Sequence, residues 1–262
     1  MTAPAPILEV RGLTKRFGGL TAVNEVSFDV LPNEILSIIG PNGAGKSTIF
    51  KLISSFEKPT RGEVRFNGDV ISGLAPHIVA RMGVVRTFQE TTIFKGLTAR
   101  DSVIVAHHLR ARASLAGFYF GTLAARRDED AFGRSADEIL DFLGLGDVKN
   151  ELASNLPQGH LRALGIAIGL AADPKVLLLD EPFAGMNVDE THRAVDRVRA
   201  VRDRGVTCLL VEHDMPAVMR ISDRIVVINF GVKIAEGTPA EIRANDKVIE
   251  AYLGVEDETI GL

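Results

Sequence analysis

The sequence predicts an α/β protein. It has a mostly parallel core sheet, an antiparallel β lobe at its N-terminal end, and an α-helical lobe inserted between the two halves of the core. Three observations carry this reading. In the first quarter of the chain, strand-like runs alternate apolar and polar residues, as half-buried antiparallel strands do. From about residue 97 to 169 the apolar spacing is helical and strand signals are scarce. Beyond about residue 174, short continuous apolar runs alternate with helical segments, the pattern of parallel strands buried on both faces. A chain of 262 residues can bury one large core. The expected single domain covers 7–254: β lobe and first core half to about 90, helical lobe about 97–169, second core half about 174–235, and C-terminal helices about 238–254. Repeats, low-complexity tracts and long linkers are absent from the sequence.

The elements follow in order. Residues 7–10 and 23–30 read as strands separated by Gly12 and the Gly18-Gly19 turn, with Val26, Phe28 and Val30 alternating against Ser27 and Asp29. Residues 35–39 form a buried strand, and a helix runs from Ser47 to Ser54. Residues 62–67 alternate again, Val64 and Phe66 inward, before the turn at Asn67-Gly68. Another strand covers 84–88. In the helical lobe, Ser135 with Glu138 matches a capping box ahead of Ile139, Leu140, Phe142 and Leu143, with Gly144 as the stop. Residues 111–130 mix aromatic and basic side chains without a clean period and read as a variable excursion of that lobe. A strand at 176–179 returns the chain to the core. Asn187 and Glu190 cap a helix that turns Ala194, Val195, Val198 and Val201 inward and leaves Arg193, Arg197 and Arg204 solvated. A strand at 206–211, a short helix after Asp214 and a strand at 225–228 follow. Thr238, Pro239 and Glu241 then open another helix, and the acidic residues at 256–258 read as a solvated end.

Composition narrows the chemistry. A net charge of -4 gives no global basic field for a nucleic-acid backbone. Cys208 is the single cysteine, so an internal disulfide or thiolate metal cluster is impossible, and its apolar run makes it a core residue. The longest apolar stretch, 164–172, contains two glycines and is about half of what a bilayer span requires. Residues 1–6 lack the basic start and apolar core of a secretory signal, so the expected location is the cytoplasm. His77, His107, His108 and His192 have no carboxylate and cysteine set at zinc-ligand spacing.

The segment Gly40-Pro41-Asn42-Gly43-Ala44-Gly45-Lys46-Ser47-Thr48 is a complete G-x-x-x-x-G-K-[ST] loop between a strand and a helix. That setting aims backbone N–H groups at a polyphosphate, with Lys46 as a point charge and the Ser47 hydroxyl placed for magnesium. Leu177-Leu178-Leu179-Asp180-Glu181 puts two carboxylates at the C-terminal end of a central strand, the edge where such a loop opens. Asp180 can orient magnesium, directly or through water, and Glu181 can polarise the attacking water. His213 follows another apolar strand at the same edge, within reach of a γ-phosphate. Gln89 ends the strand at 84–88, and its amide can complete the magnesium shell or sense the γ-phosphate. Phe17 either stacks on a base or fills a core.

In this order the motifs resemble the nucleotide-binding subunit of an ABC transporter, over essentially the whole chain. The resemblance implies a P-loop NTPase with a RecA-like core that binds ATP and Mg²⁺. Around the phosphates it places Asn42, Gly43, Gly45, Lys46, Ser47 and Thr48, with Phe17 on the adenine. It gives Ser47, Gln89 and Asp180 to magnesium and makes Glu181 the catalytic carboxylate and His213 the switch histidine. The signature loop falls on Asn155-Leu156-Pro157-Gln158-Gly159-His160-Leu161-Arg162. It departs from Leu-Ser-Gly-Gly-Gln: Pro157 replaces the serine, Gln158 the first glycine and His160 the glutamine, while Gly159 and Arg162 survive. A helix beginning near Leu161 still offers N–H groups and a positive dipole end to phosphate.

A finer resemblance is to the LivG-like branch of branched-chain amino-acid uptake ATPases. It rests on Val211-Glu212-His213-Asp214-Met215, on Phe183-Ala184-Gly185-Met186-Asn187, and on the C-terminal stretches 239–245 and 248–254. Relatives in that branch also move urea, short amides, dipeptides or aromatic acids. The implied partners are two transmembrane permease subunits, a second ATPase (a related chain or a second copy) in a head-to-tail dimer, and a periplasmic or extracellular solute-binding protein. Nucleic acid is not among them. The implied place is the cytoplasmic face of the inner membrane, with a permease groove near Gln89 and residues 91–97. A chromosome or repair ATPase would need a long heptad insertion, and a translation ATPase usually two cores. A P-loop kinase would leave His213 and the Gly159 region unexplained. A non-transport regulatory ATPase or nucleotide-dependent binding module is the alternative.

Overall fold

The computed structural model describes residues 4–87, 96–108, 119 and 122–253. Gln89, most of the 91–97 stretch, half of the 111–130 stretch and the acidic tail at 256–258 therefore lie outside the described residues, as does Gly254 at the end of the expected domain.

Two sheets form. Strands β1 (Leu8–Phe17), β2 (Leu20–Val30), β4 (Arg61–Phe66) and β5 (Asp69–Val70) make an antiparallel sheet in the order β2-β1-β4-β5. The β1–β2 hairpin turns at Gly18-Gly19, so both strands run farther than alternation alone suggests. The core sheet contains β3 (Ile35–Ile39), β6 (Val84–Arg86), β7 (Val176–Asp180), β8 (Thr207–Val211), β9 (Arg224–Asn229) and β10 (Val232–Gly237), ordered β10-β9-β3-β8-β7-β6. All pairs are parallel except β9 with β10. Strand β3 lies between β8 and β9. It is therefore at a topological switch point, where the connections leave to opposite faces and a crevice opens at the carboxyl ends.

Alternation along each core strand builds two packed layers. On β7, Leu177 and Leu179 face one cluster while Val176 and Leu178 face another, and on β8 Cys208 and Leu210 alternate with Leu209 and Val211. Helix α1 (Lys46–Ile53) buries Ile49, Phe50, Leu52 and Ile53 between the core sheet and the antiparallel sheet, alongside Leu8, Val10, Phe28 and Val64. The opposite layer holds α3 (Ala99–His107), α4 (Leu123–Phe142), α5 (Gln158–Ala171) and α6 (Val188–Asp203), through Val103, Ala136, Leu140, Leu164, Ala167 and Val198. Short helix α2 (Pro76–Met82) precedes β6, and α7 (Met215–Ile221) joins β8 to β9. At the C-terminal end, α8 (Pro239–Arg243) and α9 (Asp246–Leu253) pack on β9 through Ile242 and Val248.

Several expectations hold in detail. Asn187 with Glu190 and Thr238 with Glu241 form reciprocal capping boxes, and the Asp214 carboxylate accepts from Ala217 N–H to start α7. Others fail. The Ser135–Glu138 pattern is not a helix start: α4 begins at Leu123, with the Thr122 hydroxyl accepting from Ala125 N–H. Ala125, Phe132, Ala136 and Leu140 make one buried face, so packing carries the helix straight through Ser135. Residues 123–130, read only as a variable excursion of the helical lobe, belong to that helix. Helix α5 starts at Gln158, three residues before Leu161, because Pro157 has a φ of -59° suited to a cap and lacks only an N–H that a first turn leaves unpaired anyway. Arg197 is half-buried, its guanidinium pKa lowered by burial, whereas Arg204 is exposed as expected and lies over the Phe142 ring at 3.3 Å from the centroid. Sequence reading also missed α2, β5 and β10.

Cys208 has no exposed surface, and burial pushes its thiol up to about 12. Alkylation by iodoacetamide at pH 8 is expected to be negligible in the native protein and complete after denaturation. Stoichiometric labelling of the folded protein within minutes would contradict this burial.

Candidate functional site

The loop after β3 owes its shape to two glycines. Gly40 has φ 151° and Gly45 φ 102°; a Cβ would stand 1.9 Å from the Ile228 carbonyl oxygen at the first and 2.4 Å from that of Ala22 at the second. Side chains at either position would break the close approach of the loop to β9 and β2. The neighbouring hairpin tightens this fit, since Gly231 N–H donates to Ala44 O at 3.0 Å and Asn24 N–H to Gly231 O at 2.8 Å. Burial pushes the Tyr252 phenol up to about 12, with the Gly40 backbone beside it pulling the other way.

What the loop presents is a set of donors. Among the described residues, the N–H groups of Gly43, Gly45, Lys46, Ser47 and Thr48 have no protein acceptor. Lys46 is buried and its Nζ donates to the carbonyls of Gly40 at 2.7 Å and Pro41 at 2.9 Å. Burial lowers its pKa, an effect that Glu181 opposes. Ser47 and Asn42 are exposed at the mouth. Five unpaired donors and an ammonium at a helix N-terminus fit a polyphosphate.

The acidic edge lies two strands away. Asp180 ends β7 with its side chain only 4% exposed, and its Oδ2 accepts from Arg86 Nη2 at 2.6 Å. Glu181 sits in the left-handed region at φ 48°, its N–H donating to Val211 O at 2.9 Å, so the backbone turns its carboxylate out of the sheet edge. His213 Nδ1 stands 4.0 Å from Glu181 Oε1 and 3.9 Å from Glu212 Oε2. The structure thus gathers Lys46, Asp180, Glu181 and His213 along one edge. Phe17 is at the far end of β1, 44% exposed, with Lys15 Nζ 4.8 Å from its ring centroid, and is not a core aromatic. Gly159 is elsewhere, on the first turn of α5, where an added Cβ would stand 3.5 Å from Glu190 Oε1. Gln89 lies outside the described residues.

A divalent cation at this edge would have few protein ligands. Among the described residues no group of three or more His, Cys, Asp or Glu converges. The Ser47 hydroxyl and Asp180 carboxylate are a hard-oxygen pair suited to Mg²⁺, which commonly takes one or two protein groups plus phosphate and water.

Two residues of the edge were not singled out by sequence reading. Arg86 is an arginine at the end of an otherwise apolar strand, and that was the available signal. Glu212 is fully buried: Oε1 accepts from Phe183 N–H at 2.7 Å, and Oε2 from His213 N–H at 3.0 Å and, weakly, from Asp214 N–H at 3.5 Å. It clips the segment after β7 to the segment after β8, and so fixes Glu181 relative to His213. Burial raises its pKa against the pull of those N–H groups. Glu212→Ala leaves buried donors unpaired and is expected to cost about 3 kcal/mol in denaturant unfolding. Because the folded-state pKa is raised, the native protein holds a proton that the unfolded chain releases just above pH 4.5. Stability contributed by this site therefore falls as pH rises through that window, and Glu212→Gln should remove the slope.

Comparisons with known proteins identify the family. The family model "ABC transporter" matches residues 23–184, and the model "Branched-chain amino acid ATP-binding cassette transporter" matches residues 232–258. The high-affinity branched-chain amino acid transport ATP-binding protein BraF of Pseudomonas aeruginosa is 46% identical over 250 residues, covering 95% of this chain and 98% of its own. LivG of Escherichia coli, with the same description, is 44% identical over the same shares. A crystal structure of a nucleotide-free ATP-binding cassette from an ABC transporter superposes with a TM-score of 0.84 at 29% identity, over 95% of this chain and 99% of the other. With the loop, the acidic strand end and the histidine on one sheet edge, and relatives matched along nearly their full length, the chain belongs to the ABC transporter family of ATP-binding, ATP-hydrolysing subunits.

Proposed function

We propose that this chain binds ATP at the loop after β3 and hydrolyses it to power uptake of branched-chain amino acids, or a related small solute, through membrane permease partners. The observation that carries the reading is the set of unpaired N–H groups around Lys46 facing Glu181 and His213 across one sheet edge. Gly43, Gly45, Lys46, Ser47 and Thr48 cradle the phosphates, Asn42 lines the mouth and Phe17 stacks on the base. Ser47, Asp180 and Gln89 would hold Mg²⁺, which supplies charge neutralisation on the phosphate oxygens when bound. Glu181 takes a proton from the attacking water as general base, while Lys46 and His213 stabilise charge on the transferring phosphoryl group.

One subunit leaves this edge open. Gly159 lies on the first turn of α5, away from its own loop, so it serves the site of a second subunit packed head to tail. There, the N-terminus of α5 offers N–H groups and a positive dipole end to the γ-phosphate. Pro157 supplies no hydroxyl for that contact. Among the described residues no helix is long and apolar enough to cross a membrane. In this reading the membrane path belongs to two permease subunits, this chain is peripheral at the cytoplasmic face, and a solute-binding protein delivers cargo on the other side.

Affinity isolation of the tagged chain from native membranes in mild detergent tests the assembly. Two multi-span permeases and a second ATPase are expected among the co-purifying proteins. Recovery of soluble partners only would replace transport with the regulatory alternative.

A further inference from the structure

Asp180 is a buried carboxylate with one partner. Its side chain is 4% exposed, and among the described residues the only donor to it is Arg86 Nη2, at 2.6 Å. A buried carboxylate without a cation is strongly disfavoured, so this bond supplies the partner that burial of Asp180 requires. Arg86 is itself only 16% exposed and lies on β6, the edge strand, in parallel register with Leu178, two residues before Asp180. Its guanidinium is a fixed positive charge, which leaves the carboxylate only by moving away.

We propose that Arg86 is the resident counter-cation of Asp180 and sets the affinity of the site for magnesium. This rests on the reading that Asp180 serves the metal. A divalent ion approaching Asp180 meets a carboxylate already neutralised and a guanidinium within hydrogen-bond distance of it. Metal binding must share the carboxylate against that repulsion or displace Arg86. Asp180 therefore holds a free divalent ion only weakly, and the phosphate charge of a bound nucleotide adds to the attraction. Arg86 thereby lowers the affinity for metal both with and without nucleotide.

Mn²⁺ binding to the purified full-length chain, followed through loss of the free-ion paramagnetic resonance signal, tests this without any turnover. Wild type is expected to bind Mn²⁺ weakly alone and more tightly with a non-hydrolysable ATP analogue. Arg86→Met should lower the half-saturating Mn²⁺ concentration roughly tenfold in both conditions, the ratio that about 1.4 kcal/mol supplies. Adding Asp180→Asn should abolish the gain, and Arg86→Lys, which keeps the charge, should stay closer to wild type. Should Arg86→Met not fold, Arg86→Gln carries the same expectation, because it removes the charge and keeps a donor. Identical titrations for wild type and the neutral Arg86 variant, with Asp180→Asn weakened, would overturn the counter-cation role and leave the metal reading standing. An Asp180→Asn variant that titrates like wild type in the presence of nucleotide would overturn the metal reading itself.

Discussion

Glu181→Gln is expected to slow ATP turnover of the assembled protein by about a thousandfold while nucleotide stays bound, within the range that a positioned general base contributes. The reasoning is geometric. Glu181 is turned out of the sheet edge by a left-handed backbone held through its N–H bond to Val211, and its carboxylate faces His213 rather than an internal donor. Glutamine keeps the size and polarity of the side chain and removes only the basic oxygen. The loop, Lys46 and Asp180 are untouched, so binding should persist and the effect should fall on kcat. Turnover and retention of radiolabelled ATP, measured on the same sample, check this. A turnover unchanged from wild type would remove Glu181 as the base.

The second large effect belongs to Lys46. Lys46→Ala is expected to weaken ATP binding by about a hundredfold, since a charge-assisted hydrogen bond in a buried site contributes on the order of 3 kcal/mol. The close approach of Gly40 to Ile228 and of Gly45 to Ala22 should survive, although Gly40 and Pro41 lose the Nζ donor to their carbonyls. The pKa of Lys46 gives a further sign. Burial lowers it below 10.5 in the folded protein, so the unfolded chain binds the extra proton first and stability at this site rises with pH through the window below 10.5. Nucleotide reverses that preference: the phosphates favour the charged amine, so ATP affinity should fall as pH climbs through the lowered pKa. Calorimetry of ATP binding from pH 7 to 10 reads both effects. Wild-type affinity independent of pH, together with normal binding by Lys46→Ala, would detach Lys46 from the phosphates.

The core fold was legible because local rules and tertiary packing agree there. The apolar runs at β3, β7 and β8 are buried on both faces, and a strand of that kind has few other places to go. The loop glycines announce backbone geometry that other residues reach only under strain. Asn187, Asp214 and Thr238 cap helices where their spacing to the next residues said they would. Where the reading failed, a long-range fact outweighed a local signal. Ser135 carries a capping pattern, but the buried face running from Ala125 to Leu140 continues through it. The Arg86–Asp180 bond joins residues 94 positions apart, and the Glu212–Phe183 bond residues 29 apart. Pairings of that range leave no local period. Arg86 in an apolar strand and Glu212 beside the histidine look like ordinary charges until the sheet order brings their partners to the same edge.

Uptake by the reconstituted complex tests the central claim most directly. The chain, with the permeases and second ATPase that co-purify, would be placed in liposomes with MgATP on the side this chain faces. The solute-binding protein and radiolabelled leucine would be on the other side. The expected result is ATP-dependent leucine accumulation that disappears when Glu181 is replaced by glutamine. ATP hydrolysis without accumulation of leucine or another small solute, or accumulation that proceeds equally without ATP, would contradict it.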